Sequence, residues 1–424
     1  MMKFTIEGSV SDKITVNLPP SKSYAQRALI AASLANGESI ISMNRPFPED
    51  IVIMIRALKK MGIKIIGNKV YGQQPKRPQN ILNMGGSGTG IRFMTAFSTL
   101  ATGGYTVLTG NSSLIKRPLG PLTEAINALG GFAITAGEDG RPPVIVKGKK
   151  MNGGRAEIRS SESSQYVSAL LLVSPKNEDR TEIRWTNKVS EHYIKMTEFV
   201  MNHFGVKVYE DENSYFVEPS EYKPSSFVVP LDASSASFFV ILGILTGRTV
   251  KIPNLKREPI QADLEELIKV LDFLNVKYYF DKSGMQVEGK VPEASLNVDL
   301  KNAPDLFPPL SVLGYKVPLE ISGISHVRYK ESNRLLSMSS ELTKLGCFVE
   351  LKDDKIKILP PNSAPEKVEL KGWKDHRVVM SLSILCAAQG IKCVIDSYEA
   401  VKKSFPGFFE EMKKNGLKVK LFER

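Results

Sequence analysis

Six times along the chain, a run of helix-forming residues ends at a residue suited to the left-handed conformation, and alternating apolar residues follow. The stretches are ALKKMGIKIIG, AINALGGFAIT, FVMNHFGVKVY, VLDFLNVKYYF, ELTKLGCFVEL and EEMKKNGLKVKLF. A helical pattern, a cap that tolerates positive φ and then a period of two mark a helix delivering its chain into a strand. The cap positions, Gly62, Gly130, Gly205, Asn275, Gly346 and Gly416, lie 68, 75, 70, 71 and 70 residues apart. A period held over most of 424 residues limits the fold to one supersecondary unit used repeatedly. Side chains other than the cap differ widely, so what repeats is architecture.

The unusual polar motifs keep the same register. SKS at Ser21, SGTGIR at Ser87, SSQ at Ser163, DASSAS at Asp232, PDLFPP at Asp305 and DHR at Asp375 each stand 41 to 43 residues before their cap. An apolar, helical-looking run follows each one. The motifs therefore fall at helix N-termini, where Ser and Asp cap the chain and free N–H groups face outward. A second polar position recurs 25 to 30 residues later, before the next helix: Asp50, Arg117, Ser190, Pro259, Lys330 and Lys403. Each unit reads as strand, helix, strand, helix and a closing strand pair, an α/β fold with helices packed behind sheets. The stretch EPSEYKPSSFVVP divides the chain into two similar domains of three units. Helix N-termini gathered in one place would form an anion trap.

In SKSYAQR, Lys22 and Gln26 share one helical face and Ser23 and Arg27 the adjacent one, so one first turn is expected to supply two cations and a hydroxyl. Lysine there opposes the macrodipole, which points to an anionic ligand. GGSGTGIR has no GxxxxGK[ST] spacing and reads as a tight turn or a phosphate cradle, with Arg92 as a backbone-satisfying arginine. Arg117 precedes a proline suited to a first helical turn, where its fork fits a carboxylate or phosphate. Ser163, Ser164 and Gln165 are neutral donors and acceptors fit for a polyol or phosphate, or redundant caps. Asp305 and Glu331 are acids among bases and candidates for proton transfer, although Glu331 taken singly also reads as an ion-pair partner. His376 either orients a neighbour or takes part in the chemistry, beside Arg377.

Lysine and arginine number 57 against 45 acids, a net charge of +12 that calls for an anionic partner. The cations form no basic tail and no aromatic-interleaved stripe, which argues against nucleic acid. Four scattered histidines and three cysteines without CxxC or ligand spacing argue against a metal enzyme. Cys347, Cys386 and Cys393 each sit in an apolar stretch and read as buried core thiols. No run of 18 uncharged apolar residues appears, and the N-terminal stretch alternates like a strand, so a cytoplasmic protein without membrane contact is expected.

The ordered set SKSYAQRAL, GSGTGIR, KRPLGPL, SSQYVSALL, DASSASFF, PDLFPPL, YKESNRL, DHRVVMSLS and KKSFPGFF resembles the 3-phosphoshikimate 1-carboxyvinyltransferase (EPSP synthase) family across essentially the whole chain. The resemblance implies two domains of three βαβαββ units, 20–226 and the discontinuous 1–19 plus 227–424, with the active site in the cleft between them. It also implies a monomer working without metal or organic cofactor. The reaction it implies transfers the enolpyruvyl group of phosphoenolpyruvate to the 5-hydroxyl of shikimate 3-phosphate through a tetrahedral intermediate. Lys22, Ser23, Arg27, Ser163, Ser164, Gln165, Ser190, Tyr193, Asp305 and Lys330 would bind shikimate 3-phosphate. Lys22, Gly88, Arg117, Gln165, Arg334, His376, Arg377 and Lys403 would bind phosphoenolpyruvate. Asp305 and Glu331, with Lys22, would carry the catalysis, and the small Gly88 and Thr89 predict sensitivity to glyphosate.

Several positions depart from the family's usual pattern: Gly86 where many members have Asn, Asn333 where Asp is usual, SEHY in place of Ser-basic-Pro-Tyr, and His326 where some have a substrate-touching Asn. The related UDP-N-acetylglucosamine enolpyruvyl transferases usually carry a reactive Cys before the KRPLG equivalent, and here TGNSSLIKRPLG has none. A basic RNA-binding protein akin to RNA 3′-terminal phosphate cyclases is the other alternative, without a nucleotide-binding signature to support it.

Overall fold

The computed structural model describes residues 2–159 and 161–422. These contain twelve α-helices and six four-stranded sheets, two helices and one sheet for each unit of the period. All six cap residues lie in the left-handed region, with φ between 51° and 92°. Asn275 is the one non-glycine among them, and its short polar side chain tolerates that conformation.

The chain separates into a first domain, Pro20–Val229, and a second, Met1–Pro19 with Pro230–Arg424. The first holds α1 (Lys22–Leu34), α2 (Glu49–Lys60), α3 (Gly88–Ser98), α4 (Gly120–Ala128), α5 (Gln165–Val173) and α6 (His192–His203). The second holds α7 (Ala233–Thr246), α8 (Ala262–Phe273), α9 (Phe307–Ser311), α10 (Arg334–Lys344), α11 (His376–Gln389) and α12 (Phe408–Lys414). The division falls three residues later than 226/227, because Ser226–Val228 pairs in parallel with Gly37–Ser42 of the first domain.

Each sheet places a parallel pair beside an antiparallel pair. In four units the strand ahead of the first helix stays with its own sheet, as Gly154–Arg159 does beside Thr181–Thr186. At the two domain crossings it does not. Lys13–Thr15, just ahead of α1 in sequence, pairs with Thr249–Pro253 in the second domain, and Ser226–Val228, just ahead of α7, serves the first. The sixth sheet is completed by Lys3–Gly8, antiparallel to both Lys392–Ile395 and Leu417–Phe422.

The helices divide into two kinds by burial. In α1 every residue from Tyr24 to Leu34 is buried, in α5 every residue after Gln165, in α7 Ala233–Leu245 and in α11 His376–Ala387. A helix apolar on all sides must be packed on all sides. Accordingly α1, α3 and α5 pack together inside the first domain, and α7, α9 and α11 inside the second. The others are amphipathic: α2 buries Ile51, Met54 and Leu58 and turns Lys59 and Lys60 outward. The polar motifs thus occupy the starts of helices that cannot shift without disturbing a core. Truncating one of the inner residues, such as Leu171→Ala, is expected to cost about 2–5 kcal/mol.

Cys386 and Cys393 form a disulfide between α11 and the strand after it. This corrects the reading of three core thiols: all three cysteines are buried, but only Cys347 is free. The left-handed turn at Gly390 brings the two sulfurs within bonding distance. No helix among the described residues is long and apolar enough to cross a membrane.

Candidate active site

In the first domain the starts of α1, α2, α3 and α5 are tied together by side chains. Lys22, at the first position of α1, places Nζ 2.9 Å from Asp50 Oδ2 in the first turn of α2. One turn further along α1, Gln26 Nε2 donates to the Asp50 carbonyl and to Ser87 Oγ, each at 3.1 Å. Ser87 caps α3 by accepting from Gly90 N. Arg92 Nη1 returns to the Gly88 carbonyl at 3.2 Å and to Gln165 Oε1 at 2.8 Å, while Nη2 donates to the Pro118 carbonyl. Arg92 is thus the backbone-satisfying arginine its position implied. Lys22, Gly88, Arg117 and Gln165 come together as a result.

Glycine at position 88 leaves space that two arginine side-chain ends occupy. A Cβ there would lie 2.6 Å from Arg117 Nη1 and 3.0 Å from Arg92 Nη1. The missing side chain lets both guanidinium groups approach the α3 N-terminus, so backbone N–H groups and two cations share one small region.

Arg27 behaves differently from the expectation of two cations on one first turn. It is 1% exposed. Its Nε donates to Thr197 Oγ1 at 2.8 Å, Nη1 to the Ser23 carbonyl at 2.8 Å, and Nη2 to Ser168 Oγ and the Tyr193 carbonyl. These bonds engage four of its five N–H hydrogens and bind α1 to α5 and α6. Burial pushes its pKa down to about 10. Because α1 is packed on all sides from Tyr24 onward, Arg27 must point inward. The first turn therefore presents one surface-reaching cation, Lys22.

Of the other expected residues in this domain, Ser163 and Ser164 are buried at the start of α5, and Ser163 Oγ accepts from Gln165 N. Ser23 and Tyr193 are half-buried. Ser190 is held at φ 56° ahead of α6. A non-glycine residue there costs roughly 1–3 kcal/mol, strain of the kind concentrated at functional positions. Glu191 beside it pairs with Lys188 at 2.9 Å and accepts from the Tyr215 hydroxyl, so SEHY is locked by its own ion pair.

In the second domain the expected residues form one ion network centred on Arg334, the first residue of α10 and 1% exposed. Its Nη1 meets Asp305 Oδ1 at 2.8 Å, Nη2 meets Glu331 Oε2 at 2.8 Å, and Nε meets Asp375 Oδ2 at 2.9 Å. Arg377 Nη2 takes the other oxygen of Asp305 at 2.8 Å, and Lys403 Nζ takes the other oxygen of Glu331 at 2.5 Å. Burial works against both guanidinium charges, but the surrounding carboxylates outweigh it, and both arginines are held above their usual range. The cations read from the sequence as anion holders are therefore already matched by carboxylates. Lys330 is half-buried, immediately after the 3₁₀ turn Ser325–Tyr329 and directly ahead of Glu331.

The carboxylate that sequence reasoning missed is Asp375. It is fully buried, caps α11 by accepting from Arg377 N, and also accepts from Ser332 Oγ. His376 Nδ1 lies 3.6 Å from its Oδ1. The sequence signal for it is its place at the head of DHR, ahead of His376 and Arg377. Capping by a motif side chain occurs at Ser87, Asp232 and Asp375, but not at Ser21 or Ser164, and Asp305 lies inside a 3₁₀ turn ahead of α9. Glu331, Asp375 and His376 bring ligand atoms within 4.8 Å of one another. A metal ion there would have to displace Arg334 and Lys403.

His326 is 2% exposed. Burial, with Lys330 nearby, pushes its pKa down to about 3, so the ring is neutral.

The EPSP synthase (3-phosphoshikimate 1-carboxyvinyltransferase) family model matches residues 6–412. A 3-phosphoshikimate 1-carboxyvinyltransferase of Korarchaeum cryptofilum is 38% identical over 96% of this chain and 97% of its own length. That of Methanocaldococcus jannaschii is 35% identical over 96% of each. Among solved structures, EPSP synthase from Acinetobacter baumannii superposes with a TM-score of 0.81 at 23% identity over the whole of both chains. The enolpyruvyl transferase NikO from Streptomyces tendae gives 0.78 at 14% identity over 99% of this chain and 98% of that one, a likeness of fold. By the family match and these relatives, the chain belongs to the EPSP synthase family.

Proposed function

We propose that this protein transfers the enolpyruvyl group of phosphoenolpyruvate to the 5-hydroxyl of shikimate 3-phosphate, releasing phosphate. The new bond joins the hydroxyl oxygen to the substituted vinyl carbon, and a proton goes to the methylene carbon. The tetrahedral intermediate then loses a methyl proton and phosphate to restore the double bond. Addition needs a base for the hydroxyl proton and an acid for the methylene carbon, elimination needs a base for the methyl proton and a donor to the leaving phosphate, and the whole sequence needs cations to hold two phosphates and two carboxylates.

The observation that carries this reading is the Asp305–Arg334–Glu331 arrangement, two carboxylates held by the same guanidinium at 2.8 Å each. Asp305 and Glu331 serve as the proton-transfer pair. Arg334, Arg377 and Lys403, with Lys22, Gly88, Arg117, Gln165 and His376, receive phosphoenolpyruvate, whose anionic groups compete with the carboxylates for the same N–H donors. Ser23, Ser163, Ser164, Gln165, Ser190, Tyr193, Lys330 and Arg27 receive shikimate 3-phosphate, with Arg27 offering the fifth N–H beyond the four engaged by Ser23, Ser168, Tyr193 and Thr197. The UDP-N-acetylglucosamine alternative is not favoured, since the curated relatives are named for 3-phosphoshikimate as the acceptor. Purified protein given both substrates and no added metal should release inorganic phosphate, and UDP-N-acetylglucosamine should not replace shikimate 3-phosphate. Folded protein that releases none sinks the proposal.

A further inference from the structure

Among the six second helix starts, Asp50 is the only acid; the others are Arg117, Ser190, Pro259, Lys330 and Lys403. An acid in a half-site proposed to hold anions needs a reason. Asp50 is 3% exposed, and Oδ2 holds Lys22 Nζ at 2.9 Å. Its other carboxylate oxygen is buried and has no hydrogen-bond partner among the described residues, where the side chain serves Lys22. Its backbone is fixed as well, because Gln26 Nε2 bonds the Asp50 carbonyl from α1, the helix that carries Lys22.

The two charges are unequally placed. Asp50 sits in the first turn of α2, where the macrodipole favours an anion, whereas Lys22 sits at the first position of α1, where it disfavours a cation. Lysine also brings a long, flexible stem that must be ordered before its ammonium can meet a ligand. We infer that Asp50 is a positioning residue: it anchors the Lys22 ammonium at the α1 start, so that phosphoenolpyruvate meets a cation already in place. The inference rests on the proposed role of Lys22 and adds a residue to which that reading gave no part.

A double-mutant cycle in the full chain tests it. Asp50→Asn keeps the shape and removes the charge, and is expected to lower kcat/KM for phosphoenolpyruvate by about 10- to 100-fold. Asp50→Glu, which retains the charge, should recover part of the loss. On a Lys22→Met background, Asp50→Asn should change kcat/KM by less than threefold, because the group it positions is gone. The same cycle is read without turnover by calorimetric titration with phosphoenolpyruvate, where Asp50→Asn should weaken binding only when Lys22 is present. Unchanged binding and kcat/KM in Asp50→Asn overturn the inference. So do equal losses on both backgrounds, which would make Asp50 a folding residue. If wild-type protein binds phosphoenolpyruvate but transfers nothing to shikimate 3-phosphate, the functional proposal falls, and the binding cycle still decides the role of Asp50.

Discussion

Replacing Arg334 by methionine removes the one cation shared by Asp305, Glu331 and Asp375, all within 2.9 Å of it. At an effective dielectric of ~20, unit charges about 4 Å apart attract by about 4 kcal/mol, so three pairs amount to roughly 12 kcal/mol before desolvation is subtracted. What remains is decided by which acids keep another cation. Asp305 keeps Arg377 and Glu331 keeps Lys403, but fully buried Asp375 is left with the Arg377 N–H, Ser332 and the ring of His376. One orphaned buried charge sets the expected loss at about 3–5 kcal/mol of unfolding free energy. Arg334→Lys keeps a charge but not the fork, and should lose about 1.5–3 kcal/mol. The two tryptophans make the measurement domain-specific, since Trp185 lies in the first domain and Trp373 in the second, where its Nε1 donates to Glu341. Urea unfolding followed by fluorescence in a Trp185→Phe background therefore reports the domain that holds Arg334. A loss below about 1 kcal/mol for Arg334→Met would refute the reasoning, because it would mean that Asp375 is not left as a buried unpaired charge.

Buried His326 is pushed down to about 3, so the unfolded chain takes up its proton first on acidification. Its contribution is fully present above about 6.5 and should shrink by about 2 kcal/mol between pH 7.5 and 5. His326→Asn should flatten that part of the urea stability profile, and an unchanged slope would discount the histidine. Unfolded without reductant, the protein should show one titratable thiol, Cys347, and after reduction three. Opening so short a disulfide loop should cost roughly 2.5 kcal/mol; three thiols before reduction would remove the bridge. Gly88→Ala drives a Cβ against Arg117 Nη1, and KM for phosphoenolpyruvate should rise at least tenfold while KM for shikimate 3-phosphate changes little. Equal KM values in variant and wild type would separate Gly88 from the arginine's placement.

The repeat was legible because its markers are backbone requirements: six residues that accept positive φ, and six apolar runs too long and continuous to be exposed. Which residues stand at helix starts followed from the same register. Which way their side chains turn did not. Lys22 and Arg27 are both cations near one helix start, yet packing around α1 sends Arg27 inward to Thr197 and Ser168, residues more than a hundred positions away in sequence. The carboxylate partners were hidden for the same reason. Asp50 and Asp375 look like ordinary helix-start acids until the fold brings Lys22 and Arg334 to them. The disulfide escaped because a spacing of seven matches no common cysteine motif and only the turn at Gly390 closes it.

The placement of the outermost strands bears on how the protein is made. Pro20–Val229 contains every strand of its three sheets, so it can fold while the rest of the chain is still being synthesised. The second domain cannot finish in this way. Lys3–Gly8 is synthesised long before its antiparallel partner Leu417–Phe422. Until its partners are made this strand has two open edges, and Lys3 at its start is the kind of charge that discourages pairing with a neighbouring chain. A nascent polypeptide stalled short of residue 417 should thus carry a finished first domain and an aggregation-prone remainder.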